Sequence, residues 1–167
     1  MSLVPEFKAA NVEYANQFTK GDLPMPPGRK AAVVVCMDAR IDPTKALGLE
    51  EGDAHVIRNA GGRAADAIRS LAISQQLLGT REIVVIHHTD CGMLTFSNEI
   101  IREGLGETLG AEAGALANET DFLPFPDVEQ SVIDDVAALK ASPLVRKDVP
   151  ISGFVYDVKT GKINQVV

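Results

Sequence analysis

The segment AAVVVCM, residues 31–37, decides the fold of this chain, because it is a short, uninterrupted apolar run rich in valine. Such a run is typical of a strand that is buried on both faces, as in a parallel sheet covered by helices. A second run of the same kind, EIVVIHH, occupies residues 82–88. Two such runs with helical segments around them predict an α/β sheet that is largely parallel.

The segments outside these runs alternate between helical and extended patterns. Between the runs we predict a helix at 42–48, a strand at 53–58, a turn at 59–62 and a helix at 64–78 that ends at Gly79. After the second run we predict helices at 92–103 and 127–140, a strand at 151–158 and a closing strand at 162–167. In the glycine-rich residues 104–126, which separate the two helices, we predict only a helix at 109–117. This order predicts one α/β domain over residues 1–167, with a mostly parallel central sheet flanked by helices.

The N-terminal residues predict a helical arm. Residues 6–18 place apolar groups at roughly helical spacing, and a glycine followed by three prolines breaks the pattern before residue 28. We therefore interpret residues 1–28 as arm and linker. Such an arm has no obvious place in a small core, so we expect it to pack on a partner subunit.

The overall composition excludes several classes of protein. A net charge of -7 and a pI near 4.9 argue against sequence-independent nucleic-acid binding. There is no apolar stretch long enough for a membrane span, and the N-terminus lacks the pattern of a secretory signal. We expect a cytoplasmic protein. Two cysteines exclude a disulfide-rich scaffold.

Both cysteines lie near predicted strand ends. Cys36 ends the first strand, His88 ends the third, and Cys91 follows three residues later. Sites in open parallel sheets form at the carboxyl ends of strands, so these groups can converge. Two thiolates and an imidazole are typical zinc ligands, and three protein ligands leave a position for water. Alternation along the strand points only one of His87 and His88 toward the site.

Other interpretations of the cysteines stay open on this pattern alone. Cys36 and Cys91 could be small buried apolar residues, or they could form a disulfide in a redox or regulatory protein. A third possibility is a zinc ion that serves only folding. We favour catalysis because of Asp38 and Arg40, which follow Cys36 directly.

Asp38 and Arg40 suit a hydrolytic metal site. A carboxylate beside zinc would accept a hydrogen bond from the metal-bound water, and an arginine would orient that carboxylate and keep it ionised. The alternative is a surface salt bridge or a helix N-cap. Asp90 we interpret as a solvated or capping residue, and His87 as a structural residue or as a support for the metal ligands.

These residues together resemble the β-class carbonic anhydrases. The pattern stands here as Cys36-Met-Asp38-Ala-Arg40 and His88-Thr-Asp-Cys91, with 52 residues from Cys36 to His88. HVIRNAG, AIRSL and CGML, which begin at residues 55, 67 and 91, also look like the family, and the resemblance covers residues 6–103 and 151–160. More narrowly, the chain resembles a compact branch that includes carbonyl sulfide hydrolases, to which a carbon disulfide hydrolase is related.

The resemblance implies a zinc enzyme with Zn²⁺ on Cys36, His88 and Cys91. A zinc-bound hydroxide, oriented by Asp38 and Arg40, would convert carbon dioxide to bicarbonate, or carbonyl sulfide to carbon dioxide and hydrogen sulfide. A dedicated carbonyl sulfide or carbon disulfide hydrolase is the alternative.

The resemblance also bears on the pocket and on assembly. Gly61 and Gly62 would line the substrate pocket, unless they only form a tight turn. The family implies a homodimer or homotetramer with the active site at or near the dimer interface.

Overall fold

Five strands form one sheet in the computed structural model, which describes residues 2–167. In chain order they are β1 Ala31–Cys36, β2 Ala54–Asn59, β3 Glu82–His88, β4 Ile151–Tyr156 and β5 Ile163–Gln165. Their order across the sheet is β2-β1-β3-β4-β5. The first four strands run parallel and β5 pairs antiparallel with β4. The predicted mostly parallel sheet is confirmed.

The strands are joined and flanked by α-helices. These are α1 Val4–Asn16, α2 Pro43–Leu47, α3 Ile68–Leu78, α4 Asn98–Leu109, α5 Ala111–Glu119 and α6 Val128–Ala141. Two predicted helix ends are explained by capping. Asp42 accepts a hydrogen bond from the backbone N–H of Lys45 at the start of α2, and Gly79 ends α3 in a left-handed conformation.

Both faces of the sheet are covered. On one face, Val34 of β1 packs with Leu71 of α3 and Val136 of α6. On the other face, Val35 packs in a layer that includes Phe125. Because apolar material covers both faces, β1 needs apolar residues at consecutive positions, and its sequence shows no alternation.

The predicted helix at 92–103 is wrong in its position. A single 3-10 turn forms at Gly92–Leu94, and α4 begins only at Asn98. The Ser97 hydroxyl accepts a hydrogen bond from the N–H of Ile100 and caps the helix there. Helical spacing of apolar residues does not separate these two elements, and Ser97 is the signal for the boundary.

The predicted helix at 64–78 begins later than expected, at Ile68. The backbone N–H of Ala64 donates to Asp135 of α6 at 2.8 Å. This tertiary hydrogen bond holds residue 64 in the loop before the helix, which sequence spacing cannot reveal.

Residues 104–126, which gave almost no prediction, continue α4 and form α5. The two helices pack together, and Gly106 and Gly114 meet at their contact, where a Cβ on Gly114 would lie 3.2 Å from the Cα of Gly106. Small residues allow this close approach. The segment after α5 then returns Phe122 and Phe125 toward the sheet end.

The arm α1 stands apart from the core, as predicted. None of its residues is buried, and Phe7 is 65% exposed. Its end is tied to the loop before β2 by a hydrogen bond from Tyr14 to Glu51 and an ion pair between Lys20 and Glu51. Within residues 2–167, no helix combines the length and the apolar character that crossing a membrane requires.

Candidate metal centre

Three side chains meet where β1 and β3 end side by side. Cys36 is the last residue of β1, His88 is the last residue of β3, and Cys91 directly precedes the 3-10 turn. Their ligand atoms all lie within 4.8 Å of one another, and all three residues are buried. The structure therefore brings together the three predicted metal ligands.

The imidazole of His88 is oriented by the backbone. Its Nδ1 lies 2.9 Å from the carbonyl oxygen of Thr89. That oxygen can only accept, so Nδ1 carries the proton and Nε2 presents a lone pair. Among residues 2–167, this buried Nε2 has no hydrogen-bond partner. Buried polar atoms are almost always satisfied, and a metal ion is the partner that suits an imidazole fixed in this way.

The two sulfur atoms suit the same ion. The interaction with Cys91 lowers the pKa of the Cys36 thiol, and the interaction with Cys36 raises the pKa of Cys91, because one sulfur takes the negative charge while the other keeps its proton. Thiolates are the form that binds metals. Two sulfurs and one imidazole nitrogen match a zinc ligand set with one position open. The donor set therefore fits zinc.

Asp38 lies at the edge of this cluster and is fixed by Arg40. Nε of Arg40 donates to Oδ1 at 3.0 Å and Nη2 donates to Oδ2 at 2.7 Å. The Arg40 guanidinium holds the pKa of the Asp38 carboxyl well below its usual range. Oδ2 of Asp38 is 3.8 Å from Nε2 of His88. Asp38 is therefore an anionic acceptor next to the candidate metal position.

Two further polar residues hold the loop between Cys36 and Arg40, and the sequence analysis gave neither of them a role in the site. Arg58 donates to the carbonyl oxygens of Cys36 and Asp38 at 3.0 and 2.7 Å. Asp90 accepts from Nη1 of Arg40 at 2.7 Å, and its side chain is 72% exposed, so it is a solvated residue, as predicted, that also pairs with Arg40. Arg58 could have been found from its place in β2, which neighbours β1.

A cavity of about 410 Å³ opens above the cluster. Its remaining walls are largely apolar and come mostly from the segments after β3, with Met37, Gly61, Met93, Phe96, Ile101 and Phe122 among them. Gly61 therefore lines the cavity as expected. Gly62 does not line it: this residue is buried behind the wall, against the backbone of Cys36.

Gly62 is required by a close approach of two backbone segments. A Cβ there would lie 2.9 Å from both the nitrogen of Cys36 and the carbonyl oxygen of Ile86, at a φ of +70°. We expect Gly62→Ala to lower the free energy of unfolding by about 3 kcal/mol, from left-handed strain and overlap together. Urea unfolding followed by circular dichroism measures this.

Gly79 is the matched control, because its φ is +75° but no heavy atom of residues 2–167 lies within 4 Å of the position that a Cβ would take there. Gly79→Ala should cost only the strain, about 1 kcal/mol. Equal losses for the two variants would contradict the close approach.

His87 faces away from the metal cluster, as alternation predicted. It is fully buried, with Nδ1 2.6 Å from Oγ of Ser131 and Nε2 3.2 Å from Oδ2 of Asp135. Asp135 also pairs with Arg63 at 3.0 Å. This buried network fixes the loop that carries Gly61 and Gly62, and it explains why two adjacent histidines serve different purposes.

Comparison with known proteins agrees with this geometry. A family described as carbonic anhydrase matches residues 31–163. β-Carbonic anhydrase 1 of Mycobacterium tuberculosis is 46% identical over an alignment of 173 positions, gaps included, which covers 99% of each chain. A carbon disulfide hydrolase of Acidianus sp. is 35% identical, over 93% of this chain and 86% of its own.

Solved structures show the same likeness. A carbonic anhydrase from Glaciozyma antarctica superposes with a TM-score of 0.95 at 51% identity, and all of each chain is covered. The likeness therefore includes the arm and the α4–α5 segment as well as the sheet.

Proposed function

The chain belongs to the β-class carbonic anhydrase family, and on that premise we propose that it adds water to carbon dioxide to give bicarbonate and a proton. The chain is an enzyme by its relationship to carbonic anhydrases and carbon disulfide hydrolases. The observation that carries the proposal is the buried Nε2 of His88, which lacks a partner within residues 2–167 and lies beside two sulfurs and an anionic carboxylate.

Cys36, His88 and Cys91 would hold Zn²⁺. Bound zinc would supply Lewis acidity that lowers the pKa of a water molecule, so that it can act as a nucleophile near neutral pH. The chain contributes the charge and shape around that position. Two thiolates and a neutral imidazole would balance the charge of the ion, and the Thr89 carbonyl keeps the His88 lone pair directed into the cluster that would hold it.

Asp38 would orient the nucleophile by accepting its hydrogen bond. Because Arg40 keeps Asp38 ionised, the carboxylate accepts and does not donate. A ligand without a proton to donate therefore finds a repulsive neighbour there. The apolar walls from Met93, Ile101 and Phe122 suit an uncharged linear substrate and disfavour its anionic product.

Hydrolysis of carbonyl sulfide or carbon disulfide is a second candidate activity. The thioethers of Met37 and Met93 line the cavity, and their polarisable sulfur suits a sulfur-containing substrate. The relative of 35% identity named as a carbon disulfide hydrolase also favours it. Carbonyl sulfide plus one water gives carbon dioxide and hydrogen sulfide, so the same arrangement of groups serves both reactions.

Two assays on one metal-quantified preparation test these proposals. Carbon dioxide hydration is followed by stopped-flow pH indicator, and hydrogen sulfide release from carbonyl sulfide is followed in parallel. We expect about one zinc per chain and fast hydration. Sulfide release far above hydration would make the second activity the main one. Neither activity at full zinc occupancy would leave a metal site that serves only folding.

We also propose that the chain acts as a homo-oligomer in the cytoplasm. Residues 1–28 would form an arm that packs on a second copy, because α1 leaves Phe7 and Val12 more than half exposed. A reducing compartment suits two free thiols within ligand distance. Light scattering should show at least a dimer of the 17.8 kDa chain, and a fully active monomer would contradict this.

A further inference from the structure

Arg40 is held on two edges by two carboxylates. One edge, Nε and Nη2, faces Asp38. The other edge faces Asp90: Nη1 donates to Oδ2 at 2.7 Å, and Nη2 donates to the carbonyl oxygen at 2.9 Å. A planar guanidinium engaged on both edges has little freedom to rotate.

The contact between Asp38 and Arg40 alone is local. The two residues are two positions apart on the loop after β1, where Arg58 of β2 holds the carbonyl oxygen of Asp38, so the hydrogen bonds of the pair do not reach the end of β3. Nothing in that pair sets its distance from His88 and Cys91, which belong to the end of β3 and the following loop. Asp90 lies between these two ligands, and its contact with Arg40 links residues 50 positions apart. Asp90 thus ties one loop of the site to the other.

The backbone at Asp90 is shaped for this contact. Its φ is +55°, in the left-handed region that few residues other than Gly, Asn and Asp adopt. In this conformation the carboxylate and the carbonyl oxygen of one residue reach the same guanidinium. The side chain is 72% exposed, so the ion pair adds little to stability. The contact instead fixes the orientation of the Arg40 guanidinium.

We propose that Asp90 is a positioning residue, which holds Arg40 and through it the Asp38 carboxylate at a fixed distance from the candidate metal cluster. Its effect on turnover rests on the proposed function, because it requires that Asp38 orients the nucleophile. The contact itself can be tested without any activity.

Two variants of the zinc-loaded full-length protein separate the contact from the backbone conformation. Asp90→Gly and Asp90→Asn both tolerate a φ of +55° and both keep the backbone carbonyl that accepts from Nη2, but only asparagine keeps a side-chain acceptor for Nη1 of Arg40. The first readout is solvent exchange of the Arg40 Nε–H by ¹H–¹⁵N NMR, with the signal assigned by its loss in Arg40→Gln. We expect Asp90→Gly to accelerate exchange about tenfold, and Asp90→Asn to change it by less than about threefold.

The second readout is turnover, separated into kcat and KM for carbon dioxide hydration. Asp90→Gly should lower kcat about tenfold with KM nearly unchanged, and Asp90→Asn should restore most of kcat. Unchanged exchange in Asp90→Gly would overturn the proposal, and so would faster exchange with an unchanged kcat. If the zinc-loaded wild type had no hydration and no sulfide release, the proposed function would fail, while the exchange comparison would still decide whether Asp90 holds Arg40.

Discussion

Changing His88 to glutamine should weaken zinc binding strongly and abolish turnover. Glutamine lacks the imidazole nitrogen whose lone pair the Thr89 carbonyl directs into the cluster. The two sulfur atoms therefore lose the third proposed zinc ligand. We expect zinc affinity to fall by at least about a hundredfold, since each ligand carries a large share of the binding free energy. Competition with a chelator, read by mass spectrometry of the metal, measures the affinity, and stopped-flow hydration measures the turnover.

His55→Gln is the matched control for this variant. His55 also has a bonded Nδ1, 2.7 Å from the hydroxyl of Ser74, but it lies on β2 and outside the metal cluster. The control should keep one zinc per chain and wild-type turnover. If His88→Gln kept its zinc and its activity, the proposed ligand set would be wrong.

Asp38→Asn should remove activity while leaving the metal in place. The amide has nearly the shape of the carboxylate, but it is neutral, and its NH₂ group would face the donors of Arg40 or the nucleophile. We expect kcat/KM for hydration to fall by about 10² to 10⁴, the range that a well-placed proton acceptor contributes. Zinc content should stay near one per chain, because Asp38 lies beside the proposed ligands and is not among them.

Asp42→Asn makes the same chemical change four residues away. Asp42 caps α2 through Lys45, and asparagine caps helices equally well. Its turnover should match the wild type. A zinc ion that serves only folding would give a different pattern for Asp38→Asn, with metal and fold intact and no activity to lose. A redox pair of Cys36 and Cys91 would bind no metal in either variant.

Much of the fold follows from apolar patterning. The runs at residues 31–37 and 82–88 gave the positions of β1 and β3 almost to the residue, because strands buried on both faces require consecutive apolar side chains. Asp42 and Gly79 marked the start of α2 and the end of α3, because helix capping also depends on residues that are close in sequence. The start of α3 could not be located in this way, since the bond from Ala64 to Asp135 joins residues 71 positions apart.

The same difference between local sequence patterns and contacts of distant residues applies to the candidate site. Cys36, His88 and Cys91 could be predicted to meet, because parallel strands bring their carboxyl ends to one edge. The residues that support them could not. Phe122 reaches the cavity only because α4 and α5 fold back, and Asp90 meets Arg40 only because of its left-handed backbone. Gly62 was placed in the pocket wall, but tight backbone packing puts it one layer behind.

The separation of the three proposed ligands along the chain has a consequence during synthesis. Cys36 leaves the ribosome first, and Cys91 follows roughly 55 residues later, which takes about 3 to 10 seconds at ordinary translation rates. During that interval Cys36 is a solitary thiol without the imidazole and sulfur that later surround it. The nascent chain therefore cannot capture metal at this centre until β3 has emerged and paired with β1, and oxidants or electrophiles that meet the chain earlier would find Cys36 unprotected.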